Sequence, residues 1–239
     1  FKIEDPNRDV ISKVIHMEKT PYEKTLFLDS DIYVDGEIEE VFQILDEFDI
    51  AASYATDQKN LRETVPQAFP FFNSGVIAFE ENHRLESFLQ EWKQNYLDEA
   101  EGNSEEVETE EGLKKMPVPD QPSFRETLYS SDVRMAPLTM KYNCRHGFLG
   151  FVDGKVKMFH GRLTKEIDSS GKRIDYPIEK AVKKINSTER KRVFFKKRGK
   201  LRIETDRPWL PARLRNVIRD EGVRGVFSRA VQKIGGINE

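Results

Sequence analysis

Residues 25–34 read TLFLDSDIYV, an apolar run that stops at two carboxylates. A short stretch of aliphatic and aromatic side chains suits a buried strand, and its abrupt end in charge marks the rim where the strand leaves the core. Alternate side chains of an extended chain share a face, so Asp29 and Asp31 are expected to project to the same side. Two carboxylates so close cannot readily share a dry site without a cation. Hard oxygen ligands suit Mg2+ or Mn2+, which commonly complete their coordination with substrate phosphates and water. A cation there would act as a Lewis acid toward a diphosphate leaving group. Aspartate at a strand's end is also an ordinary turn or capping residue, and these ten residues leave both readings open.

Pro21 and Tyr22 introduce the run, and residues 8–17 before it read as a short helix. After it, Ile38, Val41, Phe42, Leu45 and Phe48 follow helical spacing, with Asp35 and Gly36 where a helix start would be capped. DIAAS at 49–53 reads as a second strand. Residues 54–70 have no clear period and contain Pro66 and Pro70, which predicts a loop shaped around a site. It leads into FFNSGVIAF at 71–79, whose later residues make a third strand. Leu85, Phe88, Leu89, Trp92 and Tyr96 define an amphipathic helix over 84–97. Residues 98–111 then hold eight acidic and no basic side chains, the pattern of a solvated, mobile loop. DQPSFRETLYSS at 120–131 restarts order, with Asp120 as a helix cap and Pro122 in the first turn. Short strands near 133–136 and 155–160 complete the alternation of an α/β chain with a mixed sheet flanked by helices. Beyond residue 175 basic helices are expected, the last with Val223, Val226, Phe227, Ala230, Val231 and Ile234 on one face.

The 239 residues are 37% hydrophobic and 34% charged, enough for one main core that folds in water. Two parts are expected: a catalytic body over 1–174 and a basic helical tail over 175–239. The net charge of −3 is unevenly spread, because residues 1–182 carry 22 basic and 36 acidic side chains while residues 183–239 carry 17 and 6. A tail so basic fits an anionic partner such as a membrane surface or a polyphosphate. No nucleic-acid motif accompanies the charge. Cys144 is the only cysteine, so neither an intrachain disulfide nor a cysteine zinc cluster can form, and a reducing, cytoplasmic setting with peripheral attachment at the inner face of a membrane is expected. No stretch approaches the ~20 apolar residues of a membrane-spanning helix.

Residues 12–53, 71–79, 120–129 and 158–162 (MFHGR), in that order, resemble GT-A-type nucleotide-sugar glycosyltransferases, especially those of glycosyltransferase family 8. The resemblance implies that Asp29 and Asp31 form the Asp-x-Asp metal motif around Ser30, and that His160 supplies a third ligand to Mn2+ or Mg2+. Read alone, His160 is better explained as a half-buried strand histidine, and the shared order of the motifs reverses that preference. Asn73, Ser74 and Gly75 match the segment that faces donor sugar and acceptor, although a polar turn before a strand would look the same. Asp120 and Gln121 match the pair beside the reacting sugar, with a helix cap as the plain alternative for Asp120. Lys13 resembles a basic residue next to the donor, and a solvated helix lysine is the alternative. Arg162 and Lys165 would pair with the diphosphate, though the family's lysine is spaced differently and is followed by Pro-Trp.

The implied activity is transfer of a sugar from a nucleotide-diphosphate donor, a UDP-sugar by preference, to a hydroxyl of a sugar, lipid-linked or protein acceptor, with retained configuration. Such enzymes carry a first βαβ unit ahead of the Asp-x-Asp strand, whereas 28 residues precede Asp29 here and the first of them is not Met. Either an upstream segment is missing, as the absent Met suggests, or the nucleotide is held in another way. A second reading takes LFLDSDIYV as the motif of a haloacid-dehalogenase-like phosphatase with Asp29 as nucleophile, which needs a later acidic pair. A third is a non-catalytic transferase-like module that binds a partner through its tail.

Overall fold

The computed structural model describes residues 11–55, 63–102, 106–109, 112–115, 118–145, 148–161, 164–167, 173–175, 178–197 and 200–205. The chain runs through α1 (Ile11–Met17), β1 (Lys24–Leu28), β2 (Ile32–Val34) and α2 (Glu40–Gln43), which a 3-10 turn over Ile44–Asp46 extends. Next come β3 (Ile50–Tyr54), β4 (Phe72–Glu80), α3 (His83–Gly102), β5 (Glu106–Thr109), β6 (Gly112–Lys115) and α4 (Gln121–Ser130). After α4 follow β7 (Met135–Leu138), β8 (Cys144–Arg145), β9 (Gly150–Val152), β10 (Met158–His160), β11 (Thr164–Ile167) and β12 (Arg173–Asp175). The described chain closes with α5 (Ile178–Ile185), β13 (Arg192–Lys197) and β14 (Lys200–Thr205).

The main sheet has the order β1-β4-β3-β7 and is mixed, as expected. β4 is antiparallel to both β1 and β3, and β7 is parallel to β3. Every residue of β4 except Glu80 is buried, because both faces of the sheet are covered. The pleat sorts its side chains. Ile77 and Phe79 join Ile50 and Ala52 in one core, where Val14 and Met17 of α1, Leu85, Phe88, Leu89 and Trp92 of α3, and Phe124 and Leu128 of α4 pack. Val76 and Ala78 join Ala51, Val41, Leu45, Leu138 and Met158 in the other. Burying each large side chain contributes about 1.5–3 kcal/mol, so this double coverage holds the sheet rigidly beneath whatever stands on its rim.

At Leu28 the chain leaves the main sheet. The Ile32 N–H donates to the Asp29 carbonyl at 3.0 Å, closing a turn across Ser30 and Asp31, and β2 then enters a second sheet of order β2-β10-β8. The apolar run is therefore two strands in two sheets joined by a carboxylate-bearing turn, and strand alternation is not what brings Asp29 and Asp31 together. Three other expectations change. The helix after residue 35 starts later, at Glu40, with no side-chain cap, and Gly36 (φ 125°) makes a left-handed turn instead. The acidic tract is not all loop, since residues 98–102 continue α3 and β5 pairs antiparallel with β6. Beyond residue 175, α5 is helical as expected, but β13 and β14 are strands, with β13 antiparallel to β9. Val182, Ile185 and Phe194 form a third core with Cys144, Val152, Val156 and Phe159, so these residues pack on the body. The expected helix over 223–234 lies outside the described residues. In the third core, burial pushes the Cys144 thiol up to about 12, which keeps it protonated and inert.

The end of the sheet away from the site is tied by Asp49. Its fully buried carboxylate accepts from Arg84 Nε at 2.7 Å, Arg84 Nη2 at 2.7 Å, Arg134 Nη2 at 2.9 Å and the Arg134 backbone N–H at 2.8 Å. Burial alone would raise its pKa, but these bonds outweigh that and hold it well below the usual carboxylate range. A carboxyl depressed in this way stabilises the fold at every pH above its unfolded value of about 4, and that stabilisation fades as pH falls toward the folded value. Asp49→Ala is expected to cost about 3 kcal/mol by urea denaturation at pH 7, because two guanidinium groups lose a buried partner. The gap between variant and parent should narrow below about pH 4. An unchanged urea midpoint would show that Asp49 ties nothing.

Candidate active site

The strand order places a site on one rim of the main sheet. β1, β3 and β7 end there and antiparallel β4 begins there, so Leu28 faces Val76, Tyr54 faces Phe72, and the Asp29 N–H donates to the Gly75 carbonyl at 2.8 Å. In the second sheet His160 pairs with Ile32, and the Gly161 N–H donates to the Asp31 carbonyl at 3.2 Å. The Asp29–Ile32 turn thus touches Gly75 on one side and His160 on the other. Gly75 makes the junction sterically possible. A Cβ there would lie 2.2 Å from His160 Cε1 and 2.8 Å from Asp29 Oδ2, closer than atoms in contact tolerate.

Asp29, Asp31 and His160 each offer a ligand atom, and all these atoms lie within 4.8 Å of one another. His160 Nε2 is 3.5 Å from Asp31 Oδ1 and 3.8 Å from Asp29 Oδ2. Burial lowers the pKa of the ring, against the opposing pull of Asp31 and Asp29. A neutral imidazole and two carboxylates form a donor set that fits Mn2+ or Mg2+, and the space beside Gly75 leaves the three groups room to face one ion.

Lys13 ties this cluster to the next. It stands on α1, whose Val14 and Met17 are anchored in the core. Its Nζ donates to Asp120 Oδ2 at 2.9 Å and to the Ser74 carbonyl at 3.1 Å and hydroxyl at 3.3 Å, and lies 3.2 Å from Asp29 Oδ1. Burial works to lower its pKa, but Asp120 and Asp29 outweigh that and raise it, so Lys13 is a fixed positive charge between two carboxylates. It is not a solvated helix lysine. Nor is Asp120 a side-chain cap: it stands at the N-cap position of α4 without a capping hydrogen bond, and its carboxylate turns to Lys13. Gln121, the first residue of α4, is half-buried beside it. Asn73 and Ser74 are buried within β4 and do not form a polar turn before it. Ser30 is exposed at the tip of its turn. Arg162 lies outside the described residues, and Lys165 is described only by its backbone in β11.

Sequence reasoning missed two residues here. Asn143, buried immediately before β8, has its Oδ1 2.9 Å from His160 Nδ1 and donates from Nδ2 to Asn73 Oδ1 at 2.7 Å. Arg125 of α4, also buried, donates to the carbonyls of Pro66 at 2.6 Å, Phe69 at 2.8 Å and Pro70 at 3.2 Å, and so holds the segment that leads into β4. Arg125 shares the buried face of α4 with the polar Ser123 and Thr127 as well as Phe124 and Leu128, so no apolar stripe marked it out. Nor did any signal mark Asn143.

Residues 12–172, more than half of the chain, match the model of glycosyl transferase family 8. Among solved structures, the glycosyltransferase GlyE of Streptococcus pneumoniae in its apo form is 22% identical with a TM-score of 0.36, the match covering 57% of this chain and 29% of that one. Mouse xyloside xylosyltransferase 1, also apo, is 18% identical with a TM-score of 0.41, covering 64% of this chain and 62% of that one. The chain thus spans less than two thirds of either protein. None of the curated proteins matches it. Among the described residues no helix is long and apolar enough to cross a membrane.

Proposed function

This chain belongs to glycosyl transferase family 8, and from that premise we propose that it transfers a sugar from a nucleotide-diphosphate donor to a hydroxyl acceptor at the rim where Asp29, Asp31 and His160 converge. The observation that carries the proposal is that convergence: ligand atoms from a turn after β1 and from the distant end of β10 lie within 4.8 Å of one another. A divalent cation, Mn2+ or Mg2+, held by these three residues would supply Lewis-acid neutralisation of the departing diphosphate. Lys13 holds the Asp120 side chain through a 2.9 Å hydrogen bond, and the Asp120 carboxylate and the Gln121 amide orient the donor sugar. The Asn73-Ser74-Gly75 segment underlies the part of the rim that meets the donor sugar and acceptor, and the close approach allowed by Gly75 keeps the site compact. Ser30 lines the open side of the turn, and Arg162 and Lys165 supply positive charge for the nucleotide's phosphates.

Retention of configuration, a UDP-sugar donor and a sugar, lipid-linked or protein acceptor are the finer parts of this reading. So is a basic C-terminal tail following the catalytic body, whose surplus positive charge favours an anionic membrane surface that liposome flotation would test. The phosphatase alternative asks for an acidic pair beside Asp29, and the group beside Asp29 and Asp31 is an imidazole. The test is hydrolysis of UDP- and GDP-sugars with Mn2+. A chelator is expected to abolish turnover and added Mn2+ to restore it. Turnover that survives chelation would overturn the metal-dependent scheme.

A further inference from the structure

The hydrogen bonds behind His160 determine which of its nitrogens carries the proton. They start from a donor whose identity is beyond dispute, the Gly75 backbone N–H, 3.1 Å from the side-chain atom of Asn73 that must therefore be Oδ1. That same oxygen lies 2.7 Å from the Asn143 side chain, which must present its NH2. The Asn143 oxygen is thereby turned toward His160 Nδ1 at 2.9 Å, and an oxygen acceptor there requires a proton on Nδ1. Asn73 and Asn143 are 1% and 2% exposed, so their amides cannot easily exchange these partners for water.

We propose that Asn143 is a positioning residue that holds His160 as the Nδ1–H tautomer, with the Nε2 lone pair directed at the space bounded by Asp29 and Asp31. The partner of one ring nitrogen sets what the other can do, and groups placed behind a ligating imidazole fix both its tautomer and its orientation. The backbone supplies the alignment. Parallel pairing sets Phe159 against Cys144 and His160 against Arg145, which brings Asn143 up behind the ring. β4 sets Asn73 two residues before Gly75, so one strand both anchors the amide chain and leaves room for the imidazole. The purpose of the arrangement rests on the proposed cation site, but the tautomer itself does not.

The test therefore begins without metal. In the metal-free protein labelled with 15N-histidine and brought to a pH at which the ring is neutral, long-range 1H–15N correlations are expected to show His160 protonated at Nδ1 and bare at Nε2. Calorimetric titration with Mn2+ should then show Asn143→Leu binding about 10- to 100-fold more weakly, the usual scale for losing a group behind a ligand. A neutral His160 ring that carries its proton on Nε2 and leaves Nδ1 bare sinks the assignment, and so does undiminished Mn2+ binding by Asn143→Leu. Should that variant fail to fold, the spectrum of the parent protein still decides. An Asp31→Asn protein that binds Mn2+ as tightly as the parent would instead sink the cation site and leave the tautomer standing.

Discussion

Replacing Asp31 by Asn is expected to reduce sugar transfer, or donor hydrolysis with Mn2+, by about a thousandfold, the scale on which enzymes lose turnover when a fixed stabiliser of developing charge is removed. The substitution keeps the size of the side chain and the backbone bond from the Gly161 N–H to the residue 31 carbonyl. It deletes one of the two negative charges that make the turn a cation site. No core contact is lost, since Asp31 is 31% exposed and belongs to none of the three cores. Folding stability without metal should therefore be unchanged or slightly higher, as the repulsion between neighbouring carboxylates is relieved. Mn2+ would stabilise the parent protein by mass action and the variant hardly at all, so paired thermal melts with and without the ion read binding separately from turnover. A variant that kept a tenth of parental activity would show that Asp31 holds no essential cation.

The second large effect is expected from a single methyl group. Gly75→Ala places a Cβ 2.2 Å from one carbon of the His160 ring, 2.8 Å from its Nδ1 and 2.8 Å from Asp29 Oδ2. β4 cannot retreat, because β1 and β3 bond to it on both sides and both faces of the sheet are packed. The ring and the carboxylate must move instead. Overpacking of this kind costs about 1–3 kcal/mol of stability, yet most of the harm should fall on the site. With His160 displaced from Asp29 and Asp31, Mn2+ binding and donor turnover should each drop at least about 100-fold, while circular dichroism reports an intact fold. A Gly75→Ala protein with near-parental turnover would mean that the metal ligands sit elsewhere in the working enzyme.

Local sequence carried much of the architecture, and the reason is visible at particular residues. The run to Leu28, strand β4 and the helix carrying Phe88 and Trp92 each turn apolar side chains toward a core, β1 half-buried and the other two deeply, so their pattern appears in any short window. Where an element's form depends on distant partners, that reading failed. β13 looked like part of a basic helical tail because Arg192, Lys196 and Lys197 dominate its composition, whereas Val193 and Phe194 pair across to Phe151 and Gly150. The charged stretch at 106–109 likewise reads as solvated loop until a partner strand at 112–115 is known.

By itself the sequence determined that two carboxylates follow an apolar strand and that the four blocks around them stand in the order of one enzyme family, while β1 is a half-buried edge strand and not the fully buried one expected. Folding in three dimensions decided the rest of the site. It put a turn between Asp29 and Asp31, closed His160 onto them through the pairing of β2 with β10, and drew Asp120 away from capping its own helix to meet Lys13. It also placed Asn143 behind the imidazole. The physical reason is range: strand and helix periods arise from neighbours a few residues apart, whereas a constellation of side chains is set by strand register and helix packing between segments far separated along the chain.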